Sequence, residues 1–228
     1  MRLLAALLAF APVPAGAACR LALLLAIDIS SSVDAAEDAL QRGGLARALL
    51  APEVQAAMFS VPGESVALAV FEWSGRYQQD MILPWTLITG PGELTAAAER
   101  VAGSRRSYAD FPTAMGYAVG HAASLFDAAP ACLFRTLDVS GDGVNNEGFS
   151  PRIAYRHFPL ADVTVNGLAI QGGEDDIAAY YREELIKGPG AFVEEADGFE
   201  DFERAMRRKL ERELRAVAIG LAPAGAGE

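Results

Sequence analysis

The sequence predicts one α/β domain, a mostly parallel central sheet sandwiched between helices, and three observations carry that prediction. A continuous apolar run at 21–27 reads as a strand buried on both faces, the kind found inside parallel sheets, and the run 133–139 reads as another apolar strand. Segments of helical period alternate with the strands along almost the whole chain. Both of those runs end in polar clusters, which in an open α/β sheet lie along the carboxyl edge where ligands bind.

The elements follow in order. Residues 1–17 join a basic start (Met1-Arg2) to a short apolar run and the small-residue pattern Ala15-Gly16-Ala17, the build of a secretory signal peptide cleaved near Ala17. The run is shorter than the roughly 20 residues that span a bilayer, and no later segment supplies a transmembrane helix. The expected location is therefore exported, periplasmic or secreted. A lipid-anchored reading of Cys19 is weaker, because Gly16-Ala17-Ala18-Cys19 lacks the large aliphatic residue of such signals.

After the strand 21–27 comes a helix at 33–50, with Ser32 and Asp34 as cap candidates and Gly43-Gly44 expected to weaken or bend it. Strands at 66–73 and 81–88, joined by the tight turn at Ser74-Gly75, must be antiparallel, and Pro84 puts the second at an edge. Helices are expected at 91–102 and 113–128, then the strand 133–139, a short helix at 152–158, a strand at 163–170 and a helix at 175–186. A short strand at 191–195 and a charged amphipathic helix at 199–215 complete the domain, 18–215. The small, Gly/Ala-rich segment 216–228 reads as a flexible tail. The charges of 204–215, Lys209 and Glu213 among them, read as a solvated helix face with opposite signs at helical spacing.

Composition limits function. With 19 basic and 30 acidic residues the net charge is −11, which argues against nucleic acid and anionic membranes as partners. Two cysteines in an exported chain suggest one disulfide, Cys19 to Cys132, and are too few for a structural zinc site. There is no Gly-x-Ser-x-Gly elbow, no phosphate loop and no His-Glu-x-x-His motif, and His121 and His157 read as packing or surface residues. Asp138-x-Ser140-x-Asp142-Gly143 starts like a calcium-binding EF-hand loop but has Phe149 at the twelfth position and lies at a strand, not after a helix.

The first polar cluster, Asp28-Ile29-Ser30-Ser31-Ser32, places one carboxylate and two hydroxyls on one loop; the second supplies Asp142, and Thr113 opens a helix after Pro112. Two carboxylates and three hydroxyls form an all-oxygen set suited to a hard cation, Mg2+ first and Mn2+ or Ca2+ after it. The bland alternative is that Asp28 or Ser32 only caps the following helix.

Asp28-x-Ser30-x-Ser32, then Thr113, then Asp142-Gly143 resembles the metal-ion-dependent adhesion site of von Willebrand factor type A domains, and the element order is similar over about 21–215. Phe71-Glu72-Trp73-Ser74 and Leu83-Pro84-Trp85-Thr86 are similar to a bacterial branch of unassigned function. The family often has Gly where this chain has Ser31 and Pro112. The resemblance implies a six-stranded sheet in the order 3-2-1-4-5-6 with the third strand antiparallel. It also implies metal ligation by Asp28, Ser30, Ser32, Thr113 and Asp142, the last coordination position being left for an acidic group of a partner protein. In that sheet Cys19 and Cys132 fall in nearly the same row of adjacent strands, within reach of a disulfide. An acidic domain that accepts an acidic ligand must offset its own field, which points to a partner-binding rim of Trp73, Arg76, Arg105, Arg106 and Tyr108. The expected function is a metal-dependent protein-binding module without catalysis. A scaffold with no functional metal and a metal-dependent hydrolase are the alternatives.

Overall fold

In the computed structural model, residues 18–172 and 176–220 are described; the expected signal peptide and residues 221–228 lie outside them. Six strands form one sheet in the order β3-β2-β1-β4-β5-β6. They are β1 (Ala18–Asp28), β2 (Glu64–Trp73), β3 (Gln79–Ile88), β4 (Cys132–Gly141), β5 (Val163–Gln171) and β6 (Val193–Asp197). All neighbours are parallel except β2 and β3.

The unbroken apolar run of β1 has a simple cause, since side chains alternate across a strand and both faces here are covered. Leu21, Leu23, Leu25 and Ile27 pack with helices α1 (Ala35–Leu49), α2 (Pro52–Met58), α3 (Pro91–Ala102) and α7 (Phe202–Gly220). Ala22, Leu24 and Ala26 pack with α4 (Met115–Asp127), α5 (Pro151–His157) and α6 (Ile177–Tyr180). Pro84, which has no N–H to donate, sits exposed on the edge strand where the β2–β3 register slips between Leu68 and Val70.

Several elements depart from expectation. α1 runs unbroken through Gly43-Gly44; a Cβ on Gly44 would lie 2.9 Å from Phe202 Cδ1, so the missing side chain is what lets α7 pack against α1. The sequence reading passed over α2, a seven-residue helix opened by Pro52 at its first turn. α4 starts two residues after Thr113, leaving that threonine in a loop. The expected helix 175–186 is a single α turn, α6, capped by Asp176 and continued as a π-helix over Tyr181–Leu185. α7 runs to Gly220, so residues 216–220 are helical and not part of a loose tail.

Cys19 and Cys132 are directly paired across β1 and β4 and form a disulfide, with Cα atoms 4.5 Å apart. This ties the start of β1 to the start of β4 at the edge of the sheet opposite the polar clusters.

The solvated-face reading of α7 fails at two positions. Lys209 is fully buried and Glu213 nearly so, because the sheet face beneath them carries Asp138 and Asn166 in place of apolar side chains. Lys209 Nζ lies 2.6 Å from Asp138 Oδ2 and 2.6 Å from Glu213 Oε1, which also accepts a hydrogen bond from Asn166 Nδ2. Two carboxylates share one ammonium there, and burial, reinforced by Glu213, pushes the Asp138 carboxyl up to about 7 against the pull of Lys209.

Candidate metal centre

The loops that follow β1 and β4 meet at the carboxyl edge. Asp28 ends β1 fully buried, and its Oδ1 accepts the Ser30 N–H at 2.7 Å, which folds the chain back so that Ser30 and Ser32 share one side. The Ser30 and Ser32 hydroxyls lie 3.1 Å apart, and Ser32 donates to Asp142 Oδ1 at 2.8 Å. The oxygens of Ser30, Ser32 and Asp142 thus form one connected chain, tied to Asp28 through the Ser30 N–H. Capping of α1 is left to Asp34, whose side chain accepts the Ala36 and Glu37 amides; the bland reading of Asp28 and Ser32 as caps does not hold.

Thr113 joins through backbone. Its N–H donates to Asn146 Oδ1, its carbonyl accepts from Asn146 and Glu147, and a Cβ on Gly143 would lie 3.5 Å from its Oγ1. The threonine hydroxyl therefore stands beside the residue that follows Asp142. Ser31 N–H donates to the Phe111 carbonyl, drawing the same loop onto the first one.

Three residues outside the motif hold this arrangement. Gln41 of α1 donates to the Asp28 carbonyl at 2.9 Å. Arg106 donates to the carbonyls of Ile29, Ser30 and Val33, at 2.7, 2.9 and 2.5 Å. Tyr181 of the π-helix buries its hydroxyl beside Gly141; a Cβ there would lie 2.7 Å from Asp28 Oδ2 and 2.8 Å from Tyr181 Oη. Sequence reasoning missed Gln41, Gly141 and Tyr181. Gly141 carried a signal, a glycine placed directly between a buried strand and an aspartate. Gly141→Ala is expected to lower stability by about 1–3 kcal/mol through overpacking against Asp28 and Tyr181. Urea denaturation checks this, and an unchanged midpoint would show that the two side chains move aside freely.

The electrostatics are unbalanced. Asp28 Oδ2 is buried with no hydrogen-bond partner, as is Tyr181 Oη. Burial pushes the Asp28 carboxyl up to about 8, with Asp142 adding repulsion, while the Ser30 N–H and Arg106 pull the other way. Burial also raises Asp142, partly offset by the Ser32 hydroxyl. Among the described residues no three His, Cys, Asp or Glu side chains gather as a metal-binding group. The donors here are two carboxylates and neighbouring hydroxyls. Two crowded carboxylates, one with an orphaned oxygen, are what a divalent cation relieves, so the residues fit such an ion.

The expected rim divides. Arg76 and Arg105 are exposed and Tyr108 is partly exposed. Trp73 is fully buried in the core, and Arg106 spends its donors on loop carbonyls, so neither faces a partner. Trp73 is buried because it is the last residue of a central strand, and Arg106 turns inward because loop carbonyls there need donors.

A family described as "Protein of unknown function (DUF1194)" matches residues 18–218. The chain belongs to this family. No curated protein matches it. Among solved structures, this DUF1194 chain is similar to a von Willebrand factor type A protein from Catenulispora acidiphila, with 17% identity over 88% of this chain and 43% of that one and a TM-score of 0.58. It is also similar to proximal thread matrix protein 1 from the mussel byssus "with zinc occupied MIDAS motif", at 13% identity, 88% and 48% coverage and a TM-score of 0.60. A third is the PilB minor pilin from Streptococcus sanguinis, at 12% identity, 93% and 65% coverage and a TM-score of 0.62. The DUF1194 chain spans about half the length of the first two. At these identities the likeness is one of fold, and the fold is that of von Willebrand factor type A domains.

Proposed function

We propose that Asp28, Ser30, Ser32, Thr113 and Asp142 hold a divalent cation and that the exported domain uses it to bind an acidic group of a protein partner, without catalysis. The observation that carries this reading is the buried Oδ2 of Asp28, without a hydrogen-bond partner among the described residues, on a carboxylate tied through Ser30 and Ser32 to Asp142. A bound cation supplies Lewis acidity, leaving a position that a partner carboxylate can take. The chain's own residues set the selectivity: with no nitrogen or sulfur donor among the five, hard Mg2+ is favoured over zinc, the ion named for the mussel protein. The thread-matrix and pilin relatives support an interaction role outside the cell. Arg76 and Arg105 are exposed, Arg76 beside Glu147 at 3.1 Å, and are the residues proposed to meet the partner's remaining acidic groups.

Calorimetric titration with Mg2+, Mn2+, Ca2+ and Zn2+ tests the centre. Asp28→Ala and Asp142→Ala are each expected to abolish Mg2+ binding with the fold intact, since both lie at loop ends. Equal Mg2+ affinity in wild type and Asp28→Ala would overturn the site. Capture of partners from the cell envelope is then expected in Mg2+ and not in EDTA, and to fall in the doubly substituted R76E/R105E chain.

A further inference from the structure

The sheet face beneath α7 changes character halfway across. On the β1 and β2 side it is leucine, isoleucine and valine; on β4 and the first half of β5 it is Thr136, Asp138, Thr164 and Asn166, with Leu168 and Ile170 apolar further along β5. At the start of those two strands, against the last turns of α7, lies a cavity of about 250 Å³. Thr136, Asn166 and Glu213 form its buried lining, while Phe134, partly exposed, and Phe192 and Val217 supply apolar walls. It sits at the opposite edge of the sheet from Asp28 and Asp142, about 20 Å along β4 at the usual rise per residue.

Its charge is incomplete. Glu213 Oε1 already holds Asn166 Nδ2 and Lys209 Nζ, both at 2.6 Å, but Glu213 Oε2 is buried with no partner. With Asp138 in the same cluster, two carboxylates face the single ammonium of Lys209. Arg135, which lines the cavity where Lys209 does not, is paired with Asp162 at 3.2 Å. Arg212 stacks on the Phe192 ring, 3.8 Å from its centre, showing that the aromatic wall accepts a cation on its face.

We propose that this cavity binds a small organic cation, a primary ammonium on an apolar body, whose charged end pairs with Oε2 of Glu213 and whose body lies against Phe134 and Phe192. The volume is below the roughly 300–1,000 Å³ of drug-sized sites, which limits the ligand to the size of an aralkylamine. An anion meets an unpaired carboxylate oxygen there, and a neutral apolar molecule leaves that oxygen unpaired.

The test uses 2-phenylethylammonium as probe and 3-phenylpropionate as its anionic counterpart, titrated into the full chain in EDTA and followed by amide NMR. Saturable binding of the ammonium is expected, at least about tenfold tighter than the propionate, with shifts at Thr136, Thr164 and Asn166. Glu213→Gln is expected to lose it. Ala216→Trp, at an exposed position on the cavity's lining, fills the entry while leaving Asp138, Lys209 and Glu213 themselves unchanged, and is expected to lose it too, with circular dichroism unchanged. Asp28→Ala is expected to bind the probe like wild type. No saturable ammonium binding, equal or tighter binding of the propionate, or unaltered binding in Ala216→Trp would each overturn the proposal.

Discussion

Replacing Cys19 and Cys132 together by Ser is expected to lower the folding free energy by about 4–5 kcal/mol. The disulfide closes a loop spanning 113 positions, and by chain-entropy reasoning a closure of that length restricts the unfolded chain strongly. The native state gives up little in return, since the two residues are already neighbours in the β1–β4 ladder. Against a typical total of about 5–15 kcal/mol, the loss removes roughly a quarter or more of the stability. Urea denaturation of the oxidised wild type and the double variant measures it. A difference below about 1 kcal/mol would mean that the unfolded chain keeps β1 and β4 together without the bond.

Asp138→Asn is expected to stabilise the protein above neutral pH and to do little in acid. The folded carboxyl is raised to about 7 from its ordinary value, so the native state holds a proton that the unfolded state releases earlier. That contribution is fully present below the unfolded value near 4 and is lost as pH rises through about 7. Asparagine keeps the shape, removes the surplus negative charge, and leaves Lys209 paired with Glu213 at 2.6 Å. The gain expected at pH 8 is a few kcal/mol, at about 1.4 kcal/mol for each pH unit separating the two values. Denaturation of both proteins at pH 5 and pH 8 in EDTA checks the sign. A variant less stable than wild type at pH 8 would show that the Asp138–Lys209 contact outweighs the cost of burying its charges.

Much of the molecule was open to reading in the chain itself. The apolar run of β1 announced a buried strand because a strand covered by apolar layers on both faces has no polar alternate position, whereas β4 is apolar at Leu137 and Val139 on one face and carries Thr136 and Asp138 on the other. The tight turn at Ser74-Gly75 determined that β2 and β3 run antiparallel, and Pro84 that β3 lies at an edge, since neither depends on anything distant in the chain. Asp28, Ser30 and Ser32 were legible as a group for the same reason: all three belong to one loop whose geometry is local. The six-stranded order came from the resemblance to a known family, not from periodicity.

Tertiary structure alone decided the fate of individual charges and large side chains. Lys209 and Glu213 have the spacing of a solvated i,i+4 pair, and only Asp138 and Asn166, more than 40 residues away, make them interior. Arg106 looked like a surface cation until the carbonyls of Ile29, Ser30 and Val33 were brought within its reach. Gly44 is required by Phe202, and Gly141 by Asp28 and Tyr181. Periodicity records which faces an element must cover. Whether a polar group is buried depends on the donors and acceptors that another element sets opposite it, and that is a property of the assembled fold.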